Sequence, residues 1–264
     1  MKLIKIPFSA GGLGKAKGAE KAPNKILEQI KELYLSEDGV LPIIDVEEVR
    51  INQTNIEETN ENIFNHAKKA ITEFQKPIFL GGEHSITYSL VKAFAEVHKE
   101  KPGIIIFDAH PDCCSDFNLP THEDLLLALV KENIIPKENI ILVGIRNWHK
   151  DEYTFLKQNR IKYFTMKEIS MESIQDVSDA VMVVAKNFKS LYLSIDIDVL
   201  DPAFAPGTGY IEPGGFTSRE LIYFIHRLKR INNLKAADIV EVNPDKDIND
   251  ITTKMAAKLA VELG

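Results

Sequence analysis

Gly103-Ile104-Ile105-Ile106-Phe107-Asp108-Ala109-His110-Pro111-Asp112 reads as a buried strand running straight into a set of metal-binding side chains. A run that is apolar at every position must be covered on both faces, as in a parallel sheet with helices on either side. A second stretch, Leu191-Tyr192-Leu193-Ser194-Ile195-Asp196-Ile197-Asp198, has the same form. Open α/β sheets bind ligands beyond the carboxyl ends of their strands, so both runs deliver acids to the place where such a fold keeps its site.

On an extended backbone alternate side chains share a face. Asp108, His110 and Asp112 are therefore expected together, as are Asp196 and Asp198. Pro111 has no N–H for a ladder, which marks the exit from the sheet. Either run alone reads equally as a solvated turn or a helix N-cap; the two together favour a metal centre. His84, in Gly81-Gly82-Glu83-His84-Ser85, follows a further apolar run at 77–80. Carboxylates this close repel one another, and burying them ionised is costly, so cations must offset them. A donor set of carboxylates and two imidazoles, without thiolate, suits Mn²⁺ or Mg²⁺ better than zinc or copper. Two such cations sharing bridging carboxylates can hold a water as hydroxide. Cys113 and Cys114, the only cysteines, are adjacent and read as free thiols packing a loop rather than as ligands or a disulfide.

Short apolar runs alternate with amphipathic stretches through most of the chain. Strands are expected at 3–8, 43–49, 77–80, 103–107, 140–144, 162–165, 191–196 and 236–242, and helices at 22–35, 58–74, 85–98, 122–132, 151–158, 171–188, 218–229 and 250–263. The expected fold is one α/β domain over residues 1–264, three αβα layers around a doubly wound parallel sheet of eight strands. A net charge of -7 without any block of basic residues speaks against nucleic acid and anionic membranes. The opening Met1-Lys2-Leu3-Ile4-Lys5-Ile6-Pro7-Phe8 is too interrupted for a signal peptide, and no apolar run approaches ~18 residues. A cytoplasmic protein is expected.

His122 lies downstream of the ligand loop, at the start of a helix-like run, where an imidazole titrating near neutrality can pass a proton. Glu241, in Glu241-Val242-Asn243-Pro244 after Asp238-Ile239-Val240, is an acid at a strand end, and a carboxylate there suits a guanidinium partner. Gly11-Gly12-Leu13-Gly14 lacks a phosphate-loop ending and reads as a flexible loop. Pro206-Gly207-Thr208-Gly209-Tyr210 and Glu212-Pro213-Gly214-Gly215 read as a close wall. His66, His98 and His226 read as packing or surface histidines.

Together these motifs resemble the ureohydrolases, the arginase and agmatinase family of binuclear manganese enzymes. The likeness runs from Ile6-Pro7-Phe8-Ser9 and Gly18-Ala19-Glu20-Lys21-Ala22-Pro23, through both aspartate motifs and Gly144-Ile145-Arg146, to Asp201-Pro202-Ala203-Phe204-Ala205-Pro206-Gly207-Thr208-Gly209 and Glu241-Val242-Asn243-Pro244. The resemblance implies an arginase-like fold and two Mn²⁺ per chain. His84, Asp108, Asp112 and Asp196 would hold the first cation or bridge the pair, and His110, Asp108, Asp196 and Asp198 would serve the second. His122 would shuttle the proton, Glu241 would bind the guanidinium, Thr208 would help orient it, and Asp112, His122 and Glu241 would share the catalytic work. The implied reaction releases urea and an amine from a small cationic guanidino substrate, in a homotrimer or hexamer.

Agmatine is the substrate most favoured by the resemblance. The segment 113–121 lacks the loop with which arginases hold a carboxylate, and His149 stands where they place an aspartate. Asp116, Glu123 and Asp124 are candidates for meeting the far ammonium, with an acid-rich helix start as the plain alternative. Pro111 and Glu83 depart from the commoner threonine and aspartate, which keeps arginine or another guanidino or formimino compound open. An inactive ligand-binding relative is the non-enzymatic alternative, and a one-zinc deacetylase would need a histidine pair that is not found.

Overall fold

Residues of the strand Pro102–Phe107 are buried at every position, as the unbroken apolar run requires. The computed structural model describes residues 1–33, 35–40 and 42–264. Its strands are β1 (Lys2–Ile6), β2 (Asp45–Glu48), β3 (Ile78–Gly81), β4 (Pro102–Phe107), β5 (Ile140–Ile145), β6 (Lys162–Thr165), β7 (Ser190–Asp196) and β8 (Leu234–Val240). All pair in parallel, in the order β2-β1-β3-β8-β7-β4-β5-β6. The edges are blunted: β2 is mostly exposed and acidic, and β6 opens on the exposed Lys162, which discourages pairing with another chain.

Helices follow as α1 (Ala22–Ile30), α2 (Ile56–Glu73), α3 (Ile86–Val97), α4 (Leu125–Lys131), α5 (Lys150–Asn159), α6 (Met166–Met171), α7 (Ile174–Ala185), α8 (Ser218–Leu228) and α9 (Ile251–Leu263). Alternate strand residues divide into two cores. Leu80, Ile105, Val143, Leu193 and Ile239 pack under α1 and α6 to α9, whereas Phe79, Ile106, Leu142, Tyr192 and Val240 face α2 to α5. That is the three-layer, doubly wound arrangement expected. Among the described residues no helix is long and apolar enough to cross a membrane.

Several expected boundaries move. β1 stops before Pro7, and β8 stops at Val240 because Glu241 turns with φ 62°. The helix expected at 22–35 ends at Ile30 and continues in turns where the Glu32 and Leu33 amides reach back three residues; Tyr34, inside that range, lies outside the described residues. The helix expected at 171–188 is α7 alone, which begins at Ile174 because Ser173 caps it by accepting from the Asp176 amide; a separate short helix, α6, opened by a capping box of Thr165 and Glu168, precedes it and was not expected. The helix expected from 122 begins at Leu125, because the Asp124 carboxylate accepts from the Phe117 and Thr121 amides and holds that stretch as a loop. His122 is therefore a loop residue.

Candidate metal and active site

The four adjacent central strands β3, β8, β7 and β4 end beside one another, and each releases one motif there. His84 follows β3, Glu241 follows β8, Asp196 closes β7 and Asp108 follows β4. The chain can leave β3 toward the site only because Gly82 has no side chain: a Cβ there would lie 1.8 Å from the Phe8 carbonyl oxygen. Gly11 is similarly confined, since a Cβ would lie 2.4 Å from Ser85 Oγ. The Gly11 turn is thus packed against the site wall, not the flexible loop expected.

The expected alternation does not carry the ligand runs. β4 ends at Phe107, and the Asp108 amide makes a last bond to the Val143 carbonyl at 3.0 Å. Beyond it Asp112 takes φ 51°, a left-handed conformation in which aspartate is among the more tolerant residues. Asp198 sits in a 3-10 turn, Ile197–Val199, that is capped by a side chain: Asp196 Oδ1 accepts from the Asp198 amide at 2.8 Å. Turn geometry and crossed hydrogen bonds do what alternation was expected to do. The Asp108 carboxylate accepts from the His110 amide at 2.7 Å, and Asp198 accepts from the Ala109 amide at 3.1 Å. Arg146 laces the loops beneath: its guanidinium donates to the Asp198, Val199, Leu200 and Glu212 carbonyls at 2.6 to 3.2 Å.

His84 Nδ1 faces Asp108, Asp112 and Asp196 oxygens at 3.1, 2.9 and 3.3 Å. Despite those distances Nδ1 and Asp108 Oδ2 are buried without a hydrogen-bond partner. Buried polar atoms are rarely left so. Donor atoms crowded round a common centre, with no proton shared between them in good geometry, fit a divalent cation. Two such groups share Asp108: His84 with Asp108 and Asp112, and Asp108 with His110 and Asp198. His110 Nδ1 lies 3.0 Å from Asp198 and 3.5 Å from Asp108.

Charge accumulates accordingly. Burial, then the charge of Asp108, pushes the Asp112 carboxyl up to about 7. Burial with Asp198 and Asp108 drives Asp196 well above the carboxylate range. For Asp108 burial acts in the same direction but is outweighed by His110 and His84, which hold it well below its ordinary value. Burial opposes the charged His84 ring, yet the three carboxylates around it raise its affinity for a proton. Without cations the cluster keeps protons in their place.

A third group lies beside the first two: Glu83, His122 and Glu241. Glu241 Oε1 accepts from the His84 amide at 2.8 Å and lies 3.3 Å from His122 Nδ1. Glu83 accepts from the Ser85 amide at 2.8 Å and its hydroxyl at 2.5 Å. The sequence marks Glu83 only as a departure from a commoner aspartate; in the structure its carboxylate lies beside His122 and Glu241.

A cavity of about 280 Å³ opens above these groups, with His110, Asp112, Asp196, Asp198, His122 and Glu241 in its lining. His84 and Asp108 are buried, and Thr208, bridged to Val242, is buried with an unpartnered Oγ1 and lies outside the lining. Tyr210 was legible only as part of a wall loop, yet its ring packs on both His110 and His122, at 5.6 and 5.7 Å between centroids, and its hydroxyl donates to Glu123 at 3.0 Å. Trp148 and Glu152 also line the cavity, and no motif announces either. Of the acids expected near a substrate tail, Glu123 is in the lining, whereas Asp116 pairs with Lys131 at 2.7 Å and Asp124 is buried in its loop. Both cysteines are free; Cys113 is buried, with its thiol pushed up by burial, and Cys114 reaches the cavity edge.

The whole chain, residues 1–264, matches the Arginase family. The chain belongs to it. An arginase of Staphylococcus aureus (strain MSSA476) is 30% identical over 263 residues, covering 89% of this chain and 85% of its own length. The solved formimidoylglutamase of Bacillus subtilis superposes with TM-score 0.93 at 28% identity, covering 99% of this chain and 85% of that one. A hypothetical agmatinase from Burkholderia thailandensis gives TM-score 0.88 at 28% identity, covering 99% and 84%. Arginase-family proteins are metal-dependent hydrolases acting on C–N bonds of amidines and guanidines. The two carboxylate and imidazole groups at the strand ends fit that dependence.

The His122 pair also makes the arginase-family site sensitive to pH. Burial alone would discharge the ring, but the hydrogen bond and charge of Glu241 push its pKa up to about 9. The unfolded value is roughly 6.5, so the folded state holds this proton more tightly. The resulting stability is complete below about pH 6.5 and is lost as pH rises through about 9. Cation-free protein should lose on the order of 3 kcal/mol from this group across that window, measured by urea unfolding at a series of pH values. Glu241→Gln should flatten the slope; an unchanged slope would exclude the pairing.

Proposed function

We propose that the protein is a manganese-dependent ureohydrolase, one catalytic domain over residues 1–264, converting agmatine to urea and putrescine. The observation that carries the choice of substrate is the charge of the cavity: Glu123 and Glu152 line it, and among the described residues no lysine or arginine does. A substrate with a carboxylate tail would meet these two glutamates and no lysine or arginine, whereas a terminal ammonium is attracted to them.

His84, Asp108, Asp112 and Asp196 would hold one Mn²⁺ and Asp108, His110, Asp196 and Asp198 the other; bound there, the pair supplies Lewis acidity and a water of lowered pKa. Glu241 has Oε1 engaged by the His84 amide and His122, which leaves Oε2 to a guanidinium N–H. Thr208, buried outside the lining, backs the Glu241 strand end through its bridge to Val242 and does not meet the guanidinium itself. His122 directs Nδ1 at Glu241 and keeps Nε2 without a partner, as a ring that gives a proton to the departing amine nitrogen must. Water adds to the guanidinium carbon, the C–N bond breaks, the amine takes that proton, and urea remains. Tyr210 covers His110 and His122 and limits the entry of bulk water.

Urea release should be measured with agmatine, arginine, guanidinobutyrate and guanidine, and formamide release with formiminoglutamate, all with Mn²⁺ supplied. Agmatine should give the highest kcat/KM. Glu123→Gln should raise the KM for agmatine about tenfold and leave guanidine unchanged, the effect of one hydrogen bond to a charged group. A formiminoglutamate preference, the reading favoured by the Bacillus subtilis neighbour, would overturn the substrate while keeping the reaction class. No turnover of any of them would overturn both.

A further inference from the structure

Beneath His84, on the side away from the cavity, lies a carboxylate that the proposed chemistry does not use. Asp238, in the middle of β8, has no exposed surface. Burying a lone carboxylate is costly unless it is well hydrogen-bonded, and three hydroxyls meet this one. Tyr192 and Thr87 donate to Oδ2 at 2.8 and 2.9 Å, and Ser194 donates to Oδ1 at 2.7 Å. Strand register brings them together, because Ser194 stands opposite Asp238 in the β7–β8 ladder.

Ser194 has one proton. With that proton directed at Asp238, the face of its oxygen toward His84 Nε2, 3.0 Å away, carries only lone pairs. The imidazole must therefore be the donor in this contact. A neutral ring with its hydrogen on Nε2 presents a lone pair at Nδ1, and Nδ1 is the atom surrounded by Asp108, Asp112 and Asp196. Reversing the Ser194 hydroxyl would aim a lone pair at the Asp238 carboxylate across 2.7 Å and put the ring hydrogen at Nδ1, where a cation ligand cannot carry one.

We infer that Asp238, acting through Ser194, is a positioning residue that fixes His84 as the Nε2–H tautomer and so keeps Nδ1 open as a cation donor. The inference rests on the reading of His84 as a ligand. It follows the general rule that a metal-binding imidazole has its other nitrogen oriented by a partner, whose removal costs about 10- to 100-fold in affinity.

The test is a calorimetric titration of chelator-stripped protein with Mn²⁺, comparing the unaltered chain with Asp238→Asn and Ser194→Ala, together with imidazole ¹⁵N spectra of the cation-free forms at a pH where His84 is neutral. One of two Mn²⁺ equilibria should weaken about 10- to 100-fold in each variant while the other is retained. The His84 signals should change from the pure Nε2–H pattern to a tautomer mixture, which a loss of packing alone would not produce. Unaltered affinity in both variants, or Nδ1–H in the unaltered protein, would overturn the inference and leave the metal site standing. No Mn²⁺ bound by the unaltered protein would overturn both. Should Asp238→Asn fail to fold, Ser194→Ala, which removes a single hydroxyl, carries the same expectations.

Discussion

Asp108→Asn is expected to abolish manganese-linked stabilisation and to reduce turnover at least about a thousandfold, because the side chain belongs to both cation groups at once. A ligand that binds only the folded state stabilises it by about 4 kcal/mol at a thousand times its Kd. In a chain of this size each kcal/mol moves Tm by roughly 2 to 4 °C. Adding Mn²⁺ to the chelator-stripped protein should therefore raise Tm by about 10 °C or more, and Asp108→Asn should show at most a few degrees. Scanning calorimetry with and without metal reads the difference, and elemental analysis counts the ions. Two tightly held Mn²⁺ in the variant would sink the shared-ligand arrangement.

His122→Ala is expected to behave in the opposite way, keeping the metal-linked rise in Tm and losing about 10²- to 10⁴-fold in kcat. The ring lies in neither of the two groups that share Asp108. Its Nδ1 partner, Glu241, is also held by the His84 amide at 2.8 Å, so the carboxylate stays in place when the ring is removed. Metal content and KM should therefore move little while kcat falls. Release of manganese by His122→Ala would show that the residue belongs to the metal centre and not to proton transfer.

Much of this was legible because the relevant signals are local. Apolar runs such as 104–107 and 191–193 announce buried strands wherever they pair, and the acids that follow them, Asp108 and Asp196, mark where those strands end. The order of the sheet was not legible, since nothing within β8 states that it inserts between β3 and β7. The clustering of the candidate ligand side chains was legible, but for a partly different reason: alternation along an extended chain was expected to align Asp108, His110 and Asp112, whereas a left-handed Asp112 closes the group. The roles of Glu83, Trp148, Glu152 and Tyr210 escaped because the site groups they join, such as His122 for Glu83 and Tyr210, lie far along the chain, and an ordinary glutamate or aromatic residue carries no spacing signal. The short helix α6 was missed although Thr165 to Glu168 spells its capping box, because a six-residue element offers too little apolar periodicity to stand out.

The insertion of β8 and β7 between β3 and β4 also sets when the site can come into being. A nascent chain that has emerged only as far as β6 carries His84, Asp108, His110 and Asp112 but neither Asp196 nor Asp198, and β3 and β4 then lack the strands that separate them. The group of His84, Asp108 and Asp112 is already present in such a chain, whereas the group that needs Asp198 can form only after β7 has emerged, so a cation held there ties a late segment of the chain to an early one.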